Sequence, residues 1–410
     1  MSLLTKSPKP KLKSTRSNIS KDSNCTFCFG SADDSGAARM GFYYAREFQK
    51  QGWTVSAICP IPQPGSTSII ERLRAIDIDV EVGVAIGRLL KPSVVNKIRG
   101  HLIRRSSNLL VSMHQVDMKF AALAAKNLAV GYVASGQNTI TFSGGWLKQT
   151  ISRLILRIVM NRSCSEVVAT SHRVEQDFRR ILRFSGPISI LPNGVDTIHY
   201  RNLPSERARV RAEFGYNKNT KVFVSVGRIT PQKNQLGLLD AFARALRSLT
   251  DIHLIFVGGM SQASTATNDE LDYFRTVQKR ISELGIANRV IITGWRQDVP
   301  CVLAAADIYV QSSLWEGTPL AVVEAMASGL PVIVSDNGGV LPDFRSGIHG
   351  LIVPNNNTAA LVEALKWAGG LDQNELHALG TSAKELACKK YDISIIANQF
   401  FQIAKRHAVK

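Results

Sequence analysis

The sequence predicts an α/β protein of two parallel-sheet, nucleotide-fold domains with a cleft between the carboxyl ends of their sheets. Three observations carry this. The chain has 410 residues, and a single hydrophobic core stops growing at roughly 250–300 residues, so two domains are expected. Apolar strand-like runs alternate with helical patterns, the order that produces parallel sheets covered by helices. The alternation halts at Leu191-Pro-Asn-Gly-Val-Asp196 and the polar Asn202-Leu-Pro-Ser205, then starts again.

Taken in order, residues 1–23 hold six Lys/Arg, several Ser and one Asp, and are expected to be a disordered basic tail. Residues 24–198 form the first domain. Its strands are expected at 25–29, 53–59, 79–84, 109–113, 130–135, 166–170 and 187–191, with helices such as Ala37–Gln51 and Val116–Lys126 between them. Residues 199–390 form the second domain, with strands at 221–226, 253–258, 289–293, 307–311, 331–335 and 350–353. Helices such as Asn234–Arg247 and Leu271–Leu284 fill its gaps. Residues 391–410 are expected to be a helix packing back towards the first domain. Ligands of such folds bind where loops and helix N-termini converge at the strand ends.

Composition narrows the class. Hydrophobic residues make up 45% and charged residues 20%, a globular balance that excludes a disordered chain. No apolar run approaches the ~18 residues of a membrane span. The six cysteines are no disulfide framework. Cys25-x-x-Cys28 has no second pair to complete a zinc site and lies in the apolar run Cys25-Thr-Phe-Cys-Phe29, so it reads as buried strand in a protein kept in a reducing cytoplasm. The net charge is +18, of which residues 1–200 carry +14 and residues 201–410 carry +4. The front half is therefore expected to sit near something anionic.

Three features of the second half converge on one ligand type. Val226-Gly-Arg-Ile-Thr-Pro-Gln-Lys233 follows an apolar strand and precedes a helix. Gly227 lets the chain turn closely, and Arg228 and Lys233 at a strand end suit a diphosphate. Trp315-Glu316-Gly-Thr-Pro-Leu-Ala-Val-Val-Glu324 places one carboxylate before a helix and one inside it. The N–H groups near Leu320 are expected to face a phosphate. Gly294-Trp-Arg296 lies where a loop could cover a nucleobase, with Arg296 on the base.

Together with Pro192-Asn-Gly-Val-Asp196 and the Gly338-Gly339 turn, these motifs resemble glycosyltransferase family 4, over roughly residues 24–405. The resemblance implies the GT-B fold of two Rossmann-like domains and a nucleotide-sugar donor. It also implies transfer with retention of anomeric configuration, without a metal. Arg228 and Lys233 would neutralise the diphosphate leaving group, Glu324 would hold the ribose hydroxyls and Glu316 would face the transferred sugar. Gly227, Arg296, Gly317, Thr318 and Leu320 complete the donor side.

The sequence departs from the family at two places. Where relatives carry Gly-Phe-Gly after the first glutamate, this chain has Gly317-Thr-Pro319, and Pro319 offers no N–H. Many relatives place a histidine at the end of the strand at 130–135, and Gln137 aligns with it here. Gln137 can hydrogen-bond a hydroxyl but cannot exchange a proton. His114, at the end of the preceding strand, is the nearest replacement. On the acceptor side Gly36, Asp34 and Asn138 are assigned, with Asp33 and Asp34 able either to bind hydroxyls or to cap a helix.

Two helices of the front half are basic and amphipathic. Lys91–Arg105 groups Val94, Val95, Ile98 and Leu102; Lys148–Arg162 groups Ile151, Leu154, Ile155 and Ile158. Such stripes either pack on the sheet or dock on an anionic membrane. The whole points to a hexosyltransferase using a saccharide or lipid-linked acceptor in cell-surface polysaccharide or glycolipid synthesis, cytoplasmic or peripheral at the inner membrane face. A sugar-nucleotide epimerase on the same fold and a non-catalytic polyanion-binding protein are the alternatives. Nucleic acid is not expected as a partner, because the basic excess lacks interleaved aromatics.

Overall fold

The computed structural model describes residues 23–33, 35–62, 68–87, 90–142, 144–200, 204–259 and 268–409. The expected tail up to residue 22, Asp34 and Asn202 lie outside them.

The N-terminal unit runs β1 (Asn24–Cys28), α1 (Gly36–Lys50), β2 (Thr54–Cys59), α2 (Ile69–Arg74), β3 (Asp79–Val82), α3 (Pro92–Arg104), β4 (Leu109–Ser112), α4 (Gln115–Ala125), β5 (Gly131–Gly136), α5 (Trp146–Ser163), β6 (Glu166–Ala169), α6 (His172–Arg180) and β7 (Ile188–Ile190). The second runs α7 (Pro204–Glu213), β8 (Lys221–Val226), α8 (Gln235–Ala245), β9 (Ile252–Val257), α9 (Asn268–Glu283), β10 (Val290–Ile292), α10 (Val299–Ala305), β11 (Ile308–Gln311), α11 (Leu320–Ala327), β12 (Val332–Asp336), β13 (Gly350–Pro354), α12 (Thr358–Gly370) and α13 (Gln373–Lys390). The helix α14 (Ile393–Ala404) follows.

The strands are parallel, in a seven-stranded sheet ordered β3-β2-β1-β4-β5-β6-β7 and a six-stranded sheet ordered β10-β9-β8-β11-β12-β13. Strands buried on both faces read as continuous Val/Ile/Leu runs, which is why they were legible. Each sheet has a core on either face. Serine or acidic caps start several helices: Ser35 accepts from the Ala38 N–H, Ser171 from Val174 and Asp372 from Glu375. In both sheets the strand order reverses once, between β1 and β4 and between β8 and β11, and ligand crevices open at such switch points. Cys25, Cys28 and Cys59 are free thiols buried in β1 and β2.

The chain crosses between the two units twice, and the crossings are tied together. The Val195 N–H donates to the Tyr391 carbonyl at 2.9 Å, the Ile393 N–H donates to the Val195 carbonyl at 2.8 Å, and the Thr197 hydroxyl donates to Asp392 at 2.6 Å. Beyond the second crossing, α14 lies on the N-terminal sheet. Phe400 stacks on Tyr44 at 3.9 Å and Phe401 meets Phe48 edge-on at 4.8 Å. Residues 405–409 continue along the same unit. His407 Nε2 lies 2.5 Å from the buried Glu166 carboxylate, and Asn108 exchanges hydrogen bonds with Val409.

The two basic helices differ. Val94, Ile98 and Leu102 of α3 are buried in the core. On α5 the core takes Leu156, Val159 and Met160, while Ile151, Leu154 and Ile158 are exposed. Among the described residues no helix is long and apolar enough to cross a membrane.

Candidate functional site

Glycine sets the donor-side turn. Gly227, at the end of β8, adopts φ 153, a backbone state that glycine enters freely. A Cβ on the neighbouring Gly258, at the end of β9, would lie 2.2 Å from the Gly227 carbonyl oxygen, so the two loops close against each other only as glycines. The chain then makes a 3-10 turn over Pro231–Lys233. Asn234, at φ 53, caps α8 by accepting from the Gly237 N–H at 3.3 Å.

That turn carries Lys233 across the β8/β11 switch point. Its ammonium donates to Glu316 Oε1 at 2.5 Å, and Gln311 Nε2 donates to the same oxygen at 3.4 Å. Glu316 is buried in the loop between β11 and α11. Arg228 stands beside Gly227 with its guanidinium half exposed, 3.3 Å from Glu270. Glu324 lies one turn into α11 and is buried. Burial pushes its carboxyl pKa up, against the opposing pull of Arg39, the Tyr200 hydroxyl, His199 and Lys233. Burial, with Glu324 beside it, raises the Tyr200 phenol strongly.

The loop after Glu316 reaches the N-terminal unit. A Cβ on Gly317 would lie 2.7 Å from the Gln137 carbonyl oxygen, and the Thr318 hydroxyl donates to the Thr170 carbonyl at 2.7 Å. Pro319 is the N-cap position, and α11 starts at Leu320. Leu320 faces Gly36, where a Cβ would lie 3.1 Å from Leu320 Cδ1.

On the opposite wall, His114 caps α4 at the β1/β4 switch point. The Gly30 N–H donates to His114 Nδ1 at 3.2 Å, while His114 Nε2 is buried without a hydrogen-bond partner. Asp117, fully buried, accepts from the backbone N–H groups of Met113 and His114 and so fixes the ring's backbone. Burial raises its carboxyl pKa while His114 opposes the shift. Gln137, at the end of β5, donates to the Ser135 hydroxyl at 2.7 Å and keeps a buried, unpartnered carbonyl oxygen. Asn138 beside it is exposed.

The structure therefore gathers Gly36, His114, Gln137, Gly227, Lys233, Glu316, Gly317, Thr318, Leu320 and Glu324 around one cleft, with Arg228 and Asn138 at its edge. Arg296 is the exception among the sequence assignments. Its guanidinium is bidentate to Asp298 at 2.8 Å and donates to Glu213 at 2.5 Å, over the ring of Phe214. Two carboxylates hold it against α7. The α1 cap is Ser35, while Asp33 accepts from the Ser31 hydroxyl. Sequence reasoning missed Tyr200, Arg39 and Thr170, which contribute through contacts between distant segments, and Asp117, which bonds within its own helix start. Only Asp117, three residues after His114, had a local signal, that of a capping box. Among the described residues no group of three or more His, Cys, Asp and Glu side chains is arranged to hold a metal ion.

Two family profiles match the chain, Glycosyltransferase Family 4 over residues 35–199 and Glycosyl transferases group 1 over residues 206–386. The UDP-Gal:alpha-D-GlcNAc-diphosphoundecaprenol alpha-1,3-galactosyltransferase of Escherichia coli is 32% identical over 180 residues, 43% of this chain and 44% of that protein, less than half of its length. The GDP-mannose-dependent alpha-(1-6)-phosphatidylinositol monomannoside mannosyltransferase of Mycolicibacterium smegmatis is 27% identical over 296 residues, 68% of this chain and 73% of that protein. Among solved structures, Anabaena HepE in complex with UDP superposes with a TM-score of 0.79 at 22% identity, covering 93% of this chain and all of that one, a likeness of fold.

Proposed function

The chain belongs to the family 4, group 1 glycosyltransferases, and from that premise we propose that it moves a hexose from a nucleotide-diphosphate sugar to a saccharide or lipid-linked acceptor with retention of configuration. The observation that carries this is the Lys233–Glu316 pair at the β8/β11 switch point, 2.5 Å apart, in the loop whose Gly317 closes on the Gln137 backbone of the N-terminal unit. Lys233 and Arg228 offer fixed cations to a diphosphate at the end of β8, and the Gly227 turn lets the phosphates approach the backbone. Glu324, as a carboxylate, accepts from the ribose hydroxyls. Glu316, oriented by Lys233 and Gln311, accepts from hydroxyls of the transferred sugar.

In the reaction the bond from the sugar C1 to the phosphate oxygen breaks and the bond from C1 to the acceptor oxygen forms on the same face. The acceptor's proton passes to the leaving phosphate oxygen. Negative charge grows on the diphosphate as the bond breaks, and each prepositioned donor or cation is worth about 2.7–4 kcal/mol there. This reading uses side-chain cations, not a metal ion, for the leaving charge. Relatives named for diphosphoundecaprenol and phosphatidylinositol acceptors, together with the basic front half, support a lipid-linked acceptor at the cytoplasmic membrane face.

The test is thermal stabilisation by UDP, GDP, ADP and their sugar conjugates, for the wild type beside Arg228→Ala. A ligand at 100 times its dissociation constant adds about 2.7 kcal/mol. We expect one base to stabilise selectively and the effect to be lost in Arg228→Ala. The anomeric configuration of the product, read by proton NMR, then reports retention. No stabilisation by any nucleotide would overturn the donor site.

A further inference from the structure

Helix α5 has two apolar faces and the core uses one of them. Leu156, Val159 and Met160 point inwards and are buried. On the other side Leu147, Ile151, Leu154 and Ile158 are spaced so that they form one stripe, and they are 57%, 49%, 52% and 40% exposed. Trp146, the first residue of the helix and 78% exposed, falls on the border that Arg153 and Arg157 occupy. A surface helix ordinarily turns its polar side to water, and α3, equally basic, does so.

Charge frames this stripe. At about 100° per residue, Arg153 and Arg157 fall along one border, and Lys148 and Arg162 along the other. The helix contains no Asp or Glu. An apolar band bordered by cations is the face that lies in a bilayer interface, with the side chains in the acyl boundary and the cations among anionic headgroups. Trp146 is of the residue type that settles at headgroup level. A second copy of the same face would bring cations against cations, and the basic segment at residues 1–22 would meet the same repulsion.

The stripe also begins at the cleft. The loop leading into α5 is held to Gln115, the neighbour of His114: Gln115 Nε2 donates to the Thr141 carbonyl at 2.8 Å and the Thr141 N–H donates back at 3.1 Å.

We propose that the outer face of α5, Leu147, Ile151, Leu154 and Ile158 bordered by Trp146, Lys148, Arg153, Arg157 and Arg162, docks this protein on an anionic lipid surface and sets the acceptor wall of the cleft at the membrane. The docking stands on the helix alone and goes beyond the transfer reading.

The test is co-sedimentation of the full chain with vesicles of phosphatidylcholine alone or of phosphatidylcholine mixed with phosphatidylglycerol, at low and high salt. The wild type is expected to sediment with the anionic vesicles and to be released by salt. Ile151→Ser/Leu154→Ser/Ile158→Ser changes only exposed positions and is expected to lower partitioning at least about tenfold. Arg153→Gln/Arg157→Gln is expected to cost about fivefold per cation. Ile103→Ser, an exposed position on α3, should change nothing. Nucleotide stabilisation measured on the same variants reports the donor site separately, so loss of docking and loss of the donor site are distinguishable. The proposal fails if the wild type stays in the supernatant with anionic vesicles at low salt, or if the triple serine variant sediments as the wild type does. It fails equally if light scattering shows a wild-type dimer that the triple variant converts to monomer while neither binds vesicles.

Discussion

Glu324 is a carboxylate held where water is scarce, and its environment makes a prediction in two parts. Burial raises its pKa, while Arg39, Tyr200, His199 and Lys233 pull it back. In the proposed donor site its ionised form would accept from the ribose hydroxyls, so donor KM is expected to rise as pH falls through the raised pKa and to level off above it. Glu324→Gln should start with a weaker donor KM and show no acid limb in a KM–pH profile. An acid limb retained by Glu324→Gln would assign that titration elsewhere. The stability linkage has the opposite sense. The folded state binds this proton more tightly than the unfolded one, so stability falls as pH rises from the ordinary carboxylate range through the raised pKa, and the substitution removes that slope. Lys233 and Glu316 were legible because turn and helix-start residues surround each of them. The commitment of Arg296 was not, since one of its two carboxylate partners, Glu213, lies 83 positions away, and Asp298 two residues on does not by itself show that the side chain is taken.

The loop between β11 and α11 is the element on which the two halves of the cleft meet. A methyl group at Gly317 would stand 2.7 Å from the Gln137 carbonyl oxygen, a contact that forces the walls apart. Gly317→Ala is therefore expected to keep nucleotide stabilisation, because the donor wall is intact, while lowering kcat by roughly 10²-fold through misplacement of the acceptor wall. Steady-state kinetics beside a thermal-shift titration separates the two, and an unchanged kcat would show that the contact is slack. Most strands could be placed from sequence within a residue or so, since runs such as Val222–Val226 are apolar throughout and bounded by polar turns. The exposed side of α5 could not. Periodicity reveals an apolar stripe, but when a helix carries two of them only the neighbouring α4 and sheet decide which is covered.

At the scale of the molecule, the core on one face of the N-terminal sheet is completed by residues from beyond the other domain. Phe401 is buried against Phe48 and Trp53, at 4.8 and 6.2 Å between ring centroids. Phe401→Ala should cost about 3–5 kcal/mol and lower the cooperative melting of the N-terminal unit, and calorimetry that finds an unchanged transition would refute the packing role. The clasp beyond α14 had no sequence signal, because Glu166 and His407 are 241 residues apart. The same clasp has a consequence for the nascent chain. Translation delivers residues in order, and the buried clusters of the C-terminal unit draw on nothing beyond Tyr391. The N-terminal unit instead waits for Phe400, Phe401 and Val409, which bonds to Asn108 across 301 positions. One face of the half that leaves the ribosome first thus closes last, and until then Phe48 and Trp53 form the sticky surface that a holding chaperone would cover.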